Sequence, residues 1–198
     1  MINKGLKWMT RIGFIRHGNT DWNVEKRAQG QMDIPLNETG RQQAHALAER
    51  LQHEPWEIIY SSDLSRAADT AQAVAAALGL DVHKDERLRE KSWGKLEGTT
   101  VEDRVKKWGN DWKSLQLDIE TEESMKDRGL SFIKEICSKH PDQEVLVVSH
   151  GALLGRLFDS LIPDARTNEL LGNTSLTIVT NSAGQWDCSL YNCTKHLD

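Results

Sequence analysis

The sequence lacks the features that mark disulfide-stapled, secreted or membrane-spanning proteins. Its 198 residues include only three cysteines, Cys137, Cys188 and Cys193. Their odd number and wide spacing argue against a disulfide framework or a zinc-type cysteine pair, and they favour a reducing compartment. No apolar stretch approaches the roughly 18 residues needed to cross a bilayer, and the N-terminus has no signal-peptide core. A cytoplasmic location is therefore expected.

Positive charge is also scarce. The 25 lysines and arginines are outnumbered by 30 aspartates and glutamates, which gives a formal net charge of −5. Non-specific nucleic-acid binding usually depends on a basic face, so neither a nucleic-acid nor a membrane partner is expected. An anionic ligand would have to be bound by cations that the fold gathers locally.

Length and composition predict one globular domain over residues 1–198. The chain is 38% hydrophobic and 28% charged, as is usual for a globular protein that can bury a full core. Met9-Thr10 comes directly before the first strand pattern and resembles a start, so residues 1–8 are interpreted as an N-terminal extension. The polar segment 99–123 has weak periodicity and is predicted to form short helices over one end of the sheet. Residues 93–125 as a whole are predicted to be a lid-like segment over the functional site.

Strand-like and helical patterns alternate along the chain. The strand-like segments are 12–15, 56–60, a short edge strand at Val82, 145–149, 175–180 and 185–191, the last two joined by a turn at Ala183-Gly184. The helical segments are a helix from residue 39 onward with a capping box at Thr39 and Gln42, 65–78 ended by Gly79, 124–139 and 152–161. This order predicts a three-layer α/β/α fold with a mostly parallel central sheet and an antiparallel strand near the C-terminus.

Ionisable side chains follow three of these strands. Arg16 and His17 come after the first strand, Arg66 follows the second, and His150 follows segment 145–149. Ligands of open α/β sheets bind beyond the carboxyl ends of strands. Taken alone, each residue has an ordinary structural explanation, but three strand ends carrying such groups favour a shared site.

The residue types at these strand ends predict a phosphate site. The planar guanidinium matches phosphate oxygens two at a time, and a histidine that is neutral near pH 7 can act as a nucleophile. Gly18 and Gly151 are expected to let the backbone approach the ligand, and the helix begun at Ala152 is expected to direct N–H groups towards it.

These motifs resemble those of the histidine phosphatase superfamily, also called phosphoglycerate mutase-like. The matching segments, in the family's order and spacing, are Arg16-His17-Gly18, Arg66 within SSDLSRAADTA, Glu90 within LREKSWGKLEG, and His150-Gly151 within VVSHGALLG. The resemblance extends from Ile12 to about Tyr191 and is strongest to the bacterial broad-specificity PhoE-like phosphatases.

The resemblance implies a role for each matching residue. His17 corresponds to the nucleophile that forms a phosphohistidine, and Glu90 to the general acid and base. Glu97, seven residues on, is a second candidate acid. Arg16, Arg66 and His150 correspond to the phosphate pocket. The matched substrate-binding positions are Thr20, Asn23, Gln29, Gly30 and Gly151. No cofactor or metal is implied.

The function expected from this resemblance is metal-independent hydrolysis of small phosphomonoesters. The alternatives are a cofactor-dependent phosphoglycerate mutase and a non-catalytic module that binds a phosphorylated ligand. A mutase is less expected because segment 99–123 is short and holds no Arg-Arg pair. Alpha-ribazole phosphatase and sugar-phosphate phosphatase activities stay open, as does the oligomeric state, with a homodimer as one option. Trp93, Trp108 and Trp112 are expected either to line the mouth of the site or to pack within the lid.

Overall fold

A six-stranded sheet forms the centre of the protein in the computed structural model, which describes residues 9–165 and 169–198. The strands are Met9–Arg16 (β1), Ile58–Ser61 (β2), Val82–Lys84 (β3), Glu144–Ser149 (β4), Leu176–Ser182 (β5) and Gln185–Cys193 (β6). Their order across the sheet is β3-β2-β4-β1-β5-β6. The extension expected at residues 1–8 lies outside the described residues.

The sheet is mostly parallel, as predicted. Strands β1, β4, β2 and β3 run parallel to one another, whereas β5 pairs antiparallel with both β1 and β6. The short strand β3 lies at the edge, as its sequence indicates. The turn between β5 and β6 is at Ala183 and Gly184, which both have positive φ angles. The predicted fold class is confirmed.

Helices cover both faces of the sheet. They are Asp21–Val24 (α1), Glu38–Leu51 (α2), Ser65–Leu78 (α3), Val101–Trp108 (α4), Glu122–Lys139 (α5) and Gly151–Leu161 (α6). Alternate residues of β4 face opposite layers: Val145 and Val147 pack in the core formed with α5 and α6, while Leu146 and Val148 pack in the core formed with α2 and α3. In the described part of the chain, none of these helices has both the length and the apolarity to cross a bilayer.

Local capping chemistry explains where the predicted helices are correct and where they are wrong. Helix α3 has the predicted bounds, because Gly79 adopts φ +70° and ends it. The capping box expected at Thr39 and Gln42 is not formed. The N-cap of α2 is Asn37, whose side chain accepts a hydrogen bond from the Gly40 N–H.

The C-terminal turn is tied to the end of β1. His196 contacts the hydroxyl of Thr174 through Nε2 at 3.0 Å and Nη1 of Arg50 through Nδ1 at 3.2 Å. Burial, and next the Arg50 charge, lower the pKa of His196 to about 4, so its ring is neutral at pH 7. Nδ1 then accepts from Arg50 and Nε2–H donates to Thr174. Because the Thr174 N–H donates to the Arg16 carbonyl at 2.9 Å, the turn that contains His196 supports the last residue of β1 through Thr174.

Candidate active site

The carboxyl ends of β1 and β4 bring two histidines together. The two strands are neighbours, and the His17 N–H extends their ladder by donating to the Ser149 carbonyl at 2.9 Å. His150 is the next residue. Both histidines are buried, and their ring centroids lie 5.1 Å apart. A sheet of this order therefore produces the convergence that the sequence predicts.

Arg66 is fully buried beside them, in the first turn of α3. Its Nη1 donates to the Met32 carbonyl at 2.8 Å and its Nη2 to the Gly30 carbonyl at 2.7 Å. Gly30 has φ +55°, and a Cβ there would come within 2.1 Å of the Glu97 carboxylate. Glycine is needed at this position so that the loop can place its carbonyl against the guanidinium.

Several buried polar atoms have no hydrogen-bond partner among the described residues. Six side-chain atoms are in this state, and the first four belong to this cluster: Nε of Arg16, Nε of Arg66, both ring nitrogens of His150, Oε1 of Gln29 and Oγ of Ser65. Buried polar groups are normally paired, so unpaired donors on two cations and a histidine indicate a site for an anion that accepts hydrogen bonds. Arg16 is otherwise anchored by its Nη1, which donates to the Leu171 carbonyl.

His17 is neutral and has a defined tautomer. Burial, then the charges of Arg16 and Arg66, lower its pKa well below 6.5. Its Nδ1 lies 2.7 Å from the Gly18 carbonyl oxygen, which can only accept. We therefore assign the proton to Nδ1, and this leaves the lone pair of Nε2 free for nucleophilic attack. His150 is also neutral, because burial and then Arg66 lower its pKa.

The Glu90 carboxylate lies at the start of α6. Its Oε2 accepts from the Ala152 N–H at 3.1 Å and its Oε1 from the Leu153 N–H at 3.2 Å. The expectation that these N–H groups face the ligand is therefore wrong. The residue at the N-cap, His150, makes no side-chain cap, so Glu90 takes that place and benefits from the helix dipole.

Arg128 of α5 holds the segment that carries Glu90, a contact that no local sequence motif indicates. Its Nη1 donates to the carbonyls of Arg87 and Arg89 at 2.7 and 2.6 Å, and its Nη2 donates to the Glu90 carbonyl at 3.0 Å. Glu120 accepts from Nε at 2.8 Å and from Nη2 at 3.0 Å. All five N–H groups of the guanidinium are thus used.

Glu97, the second candidate acid, has a different environment. Its Oε1 accepts from the backbone N–H groups of Gln31 and Trp93, each at 3.0 Å. These contacts join the loop that contains Gly30 to the segment after Glu90. Glu97 is therefore a bridge between two loops, whereas Glu90 faces a cavity.

That cavity, of about 370 Å³, opens beside Arg16 and Glu90. Its apolar side includes Trp93, Met125 and Leu171. Trp93 thus lines the mouth of the site, which is one of the two expectations for the tryptophans. Trp108 and Trp112 do not line this cavity. They lie within segment 93–125, where cations stack on their rings.

The other matched positions differ in the contacts that the structure gives them. Thr20 and Asn23 cap α1 through a reciprocal capping box, which uses the side-chain oxygen of Asn23 and leaves its amide N–H groups for another partner. Gln29 is buried with its oxygen unpaired, and Gly151 lies against Nε of Arg16.

Gly18 has a structural role in addition to the expected one. A Cβ at Gly18 would come within 2.6 Å of the Gly40 carbonyl oxygen. A Cβ at Gly40 would in turn come within 2.1 Å of the Asn19 carbonyl oxygen. The glycine after His17 therefore makes room for the first turn of α2, and its expected role in letting the backbone approach a ligand stays a prediction.

Comparisons with known proteins agree with this geometry. Residues 12–194 match the model of the histidine phosphatase superfamily (branch 1). The chain belongs to this superfamily. It is 32% identical to the uncharacterized phosphatase PhoE of Bacillus subtilis, over 96% of this chain and 97% of that protein.

Two further relatives differ in their named activities. A probable phosphoglycerate mutase, GpmB of Yersinia enterocolitica, is 34% identical over 96% of each chain. A solved mycobacterial glucosyl-3-phosphoglycerate phosphatase with VO3 superposes with a TM-score of 0.82 and 31% identity, and the match covers 92% of this chain and 99% of that one. The names of the relatives indicate phosphatase or mutase activity. No group of three metal-ligating side chains occurs within residues 9–165 and 169–198.

The Arg128 contacts generate a prediction for stability. Arg128→Met removes a donor from three carbonyls and from the Glu120 carboxylate, of which the Glu90 carbonyl keeps Gln31 and Glu120 keeps the Ser92 N–H as a donor. We expect the free energy of unfolding to fall by about 3 kcal/mol. Urea unfolding followed by circular dichroism measures this loss. Lys126→Met, which removes an exposed cation from the same helix, is the matched control. A loss no larger than that of the control would show that the contacts contribute little.

The environment of His17 generates a prediction for its titration. Because its pKa is lowered, the imidazole stays neutral as the pH falls through 6.5 and takes up a proton only at a lower pH. NMR of isotope-labelled histidine, assigned with His17→Asn, follows this protonation directly. Arg16→Met removes a neighbouring positive charge and is expected to move the His17 pKa upward. Protonation of His17 at its ordinary pKa in the wild type would contradict the assignment.

Proposed function

We propose that the protein hydrolyses small phosphomonoesters without a metal, through a phosphohistidine on His17. The observation that supports this most directly is the set of unpaired buried donors on Arg16, Arg66 and His150 around a neutral His17. A tetrahedral phosphoryl group accepts hydrogen bonds on several sides, so its oxygens suit these donors.

In the first step, Nε2 of His17 attacks phosphorus and the bond from phosphorus to the ester oxygen breaks. Arg16 and Arg66 stabilise the charge on the transferring oxygens. Glu90, in its acid form, gives a proton to the leaving oxygen, and the free alcohol departs. The backbone N–H groups at the start of α6 hold the Glu90 carboxyl in place for this transfer.

In the second step, water attacks the phosphohistidine. Glu90, now a carboxylate, removes a proton from the attacking water. The bond from phosphorus to Nε2 breaks, inorganic phosphate leaves, and His17 regains its neutral form with the proton still on Nδ1. The two guanidiniums provide the charge stabilisation for which other phosphatases use a metal ion.

A mutase activity is the second candidate, supported by the named activity of the GpmB relative. A mutase has to protect the phosphohistidine from water and return the phosphoryl group to a rebound intermediate. Incubation with 3-phosphoglycerate and its bisphosphate distinguishes the two, since a mutase forms an isomer and a phosphatase releases phosphate. Broad specificity, a cytoplasmic location and a small-molecule partner stay predictions from the sequence, as does the homodimer option.

The nucleophile assignment predicts a large and specific loss of activity. With p-nitrophenyl phosphate in excess EDTA, the wild type is expected to release phosphate, and His17→Ala is expected to lose activity by about 10³-fold or more. The loss is expected because the phosphoenzyme can no longer form on His17. Protein that reacts with ³²P-labelled substrate and is quenched in alkaline detergent should carry label that is stable to base and labile to acid in the wild type, and none in the variant.

Two outcomes would count against this assignment. Activity that disappears in EDTA would indicate a metal-dependent reaction, and activity that persists in His17→Ala would place the nucleophile elsewhere. His45→Ala removes an exposed histidine of α2 and controls for general effects of histidine loss.

The role of Glu90 predicts a dependence on the leaving group. Nitrophenolate departs without protonation, whereas an alkoxide needs a proton. Glu90→Gln is therefore expected to lower kcat/KM about 10²-fold for glycerol phosphate and less than tenfold for p-nitrophenyl phosphate. Steady-state kinetics on both substrates check this. Equal losses would mean that Glu90 is not the acid, and Glu97→Gln shows whether the second carboxylate contributes.

A further inference from the structure

One wall of the cavity beside Glu90 is built from ion pairs. Glu122, the first residue of α5, contacts Nζ of Lys91 and is held by Arg156 of α6, whose Nη2 lies 2.6 Å from its carboxylate. Arg156 in turn pairs with Asp159 at 3.1 Å. All four side chains line the same cavity as Arg16 and Glu90. We call this set, Lys91, Glu122, Arg156 and Asp159, the ion-pair wall.

Charges alternate along the ion-pair wall, so it has no formal net charge. Glu122 is central, because its single carboxylate is shared by two cations that come from different parts of the chain. The Lys91 side chain is only 9% exposed, and its ammonium also lies 4.7 Å from the centre of the Trp93 ring. Both cations that could bind an acidic substrate group are therefore already paired with a protein carboxylate.

The position of this wall relates it to one part of the substrate. The phosphoryl group belongs beside Arg16 and His17, and Glu90 contacts the leaving oxygen under the proposed function. The rest of the leaving group must then extend into the cavity between Trp93 and the ion-pair wall. A leaving group with a carboxylate would meet Glu122 there, and it could reach Lys91 or Arg156 only by displacing that side chain.

We propose that Glu122 is a specificity-determining residue that favours phosphomonoesters of uncharged alcohols over esters whose leaving group carries a carboxylate. This inference rests on the proposed function, since it assigns the leaving group to this cavity. Hydroxyl groups can accept from Lys91 and Arg156 or donate to Glu122 without breaking an ion pair. A carboxylate in the same place is opposed by a like charge at close range.

The test uses two substrates that differ in one group. Glycerol 3-phosphate ends in CH₂OH where 3-phosphoglycerate ends in a carboxylate. For the wild type, kcat/KM is expected to be at least about tenfold higher for glycerol 3-phosphate. Glu122→Gln removes the negative charge and keeps the shape, so the ratio of kcat/KM for 3-phosphoglycerate to that for glycerol 3-phosphate should rise about tenfold.

A matched variant distinguishes the local effect of Glu122 from the effect of removing any negative charge nearby. Glu123→Gln removes one negative charge from the same helix turn at an exposed position that does not line the cavity, and it should leave the ratio unchanged. In the double variant Glu122→Gln/Lys91→Met the rise in this ratio should be lost, because Lys91 is then absent as a partner for the carboxylate of 3-phosphoglycerate. Equal changes in Glu122→Gln and Glu123→Gln would overturn the proposal.

The same design distinguishes this inference from the proposed function. If the protein hydrolyses both esters and Glu122→Gln does not change the ratio of their kcat/KM values, the role of Glu122 is overturned and the phosphatase proposal stands. Absence of hydrolysis of any ester would overturn the phosphatase proposal. In that case calorimetry on the two compounds decides the role of Glu122. The role is supported if Glu122→Gln, but not Glu123→Gln, strengthens binding of 3-phosphoglycerate relative to glycerol 3-phosphate. Any other result overturns it.

Discussion

A guanidinium with no exposure to solvent sets the requirements for much of this structure. Burying a charge is costly unless polar partners surround it, and Arg66 obtains them from two backbone carbonyls of the loop after α1. That loop can turn towards Arg66 only with glycine at position 30, and Glu97 fixes it by accepting from the next N–H. The conformation of the loop after α1 thus follows from the need to provide hydrogen-bond acceptors for one buried cation.

The same cation contributes to the chemistry of its neighbours. Burial, and next the positive charges of nearby guanidiniums, disfavour imidazolium at His17 and His150, so both rings remain neutral, and the His17 tautomer follows from the adjacent carbonyl. The Glu90 carboxyl group is anchored at the start of α6 by two backbone N–H groups. The site therefore combines fixed cations, a neutral histidine and a carboxyl group, each held by contacts that do not depend on a ligand.

The sequence predicts the parts of the site that follow from strand order. Arg16, His17, Arg66 and His150 each come after a strand, and parallel neighbours necessarily bring these residues to one edge. Helix α3 is also predictable, because its alanine-rich period and Gly79 are local signals. The sequence predicts a cap at Thr39, because Asn37 and Thr39 are both residue types that favour this position, whereas the structure uses Asn37, whose side chain accepts from the Gly40 N–H.

The second layer of the site could not be predicted in this way. Arg128 contacts the carbonyls of residues 87, 89 and 90, and nothing in its own helix pattern separates it from an ordinary surface arginine. The ion pairs of Glu122 join α5 to the segment after Glu90 and to α6. Such contacts depend on how α5 and α6 lie against each other, and that arrangement is settled by the core, not by any local motif.

The unpaired donors of the cluster also affect the molecule as a whole. Their burial lowers the stability of the folded chain, and an anion that accepts their hydrogen bonds would recover part of that loss. Such an anion binds the folded chain and not the unfolded one, so mass action adds about 2.7 kcal/mol at a hundredfold excess over its Kd. Inorganic phosphate, the product of the proposed reaction, has the right chemistry. Binding of inorganic phosphate to the cluster would then both raise the thermal stability of the protein and inhibit its turnover.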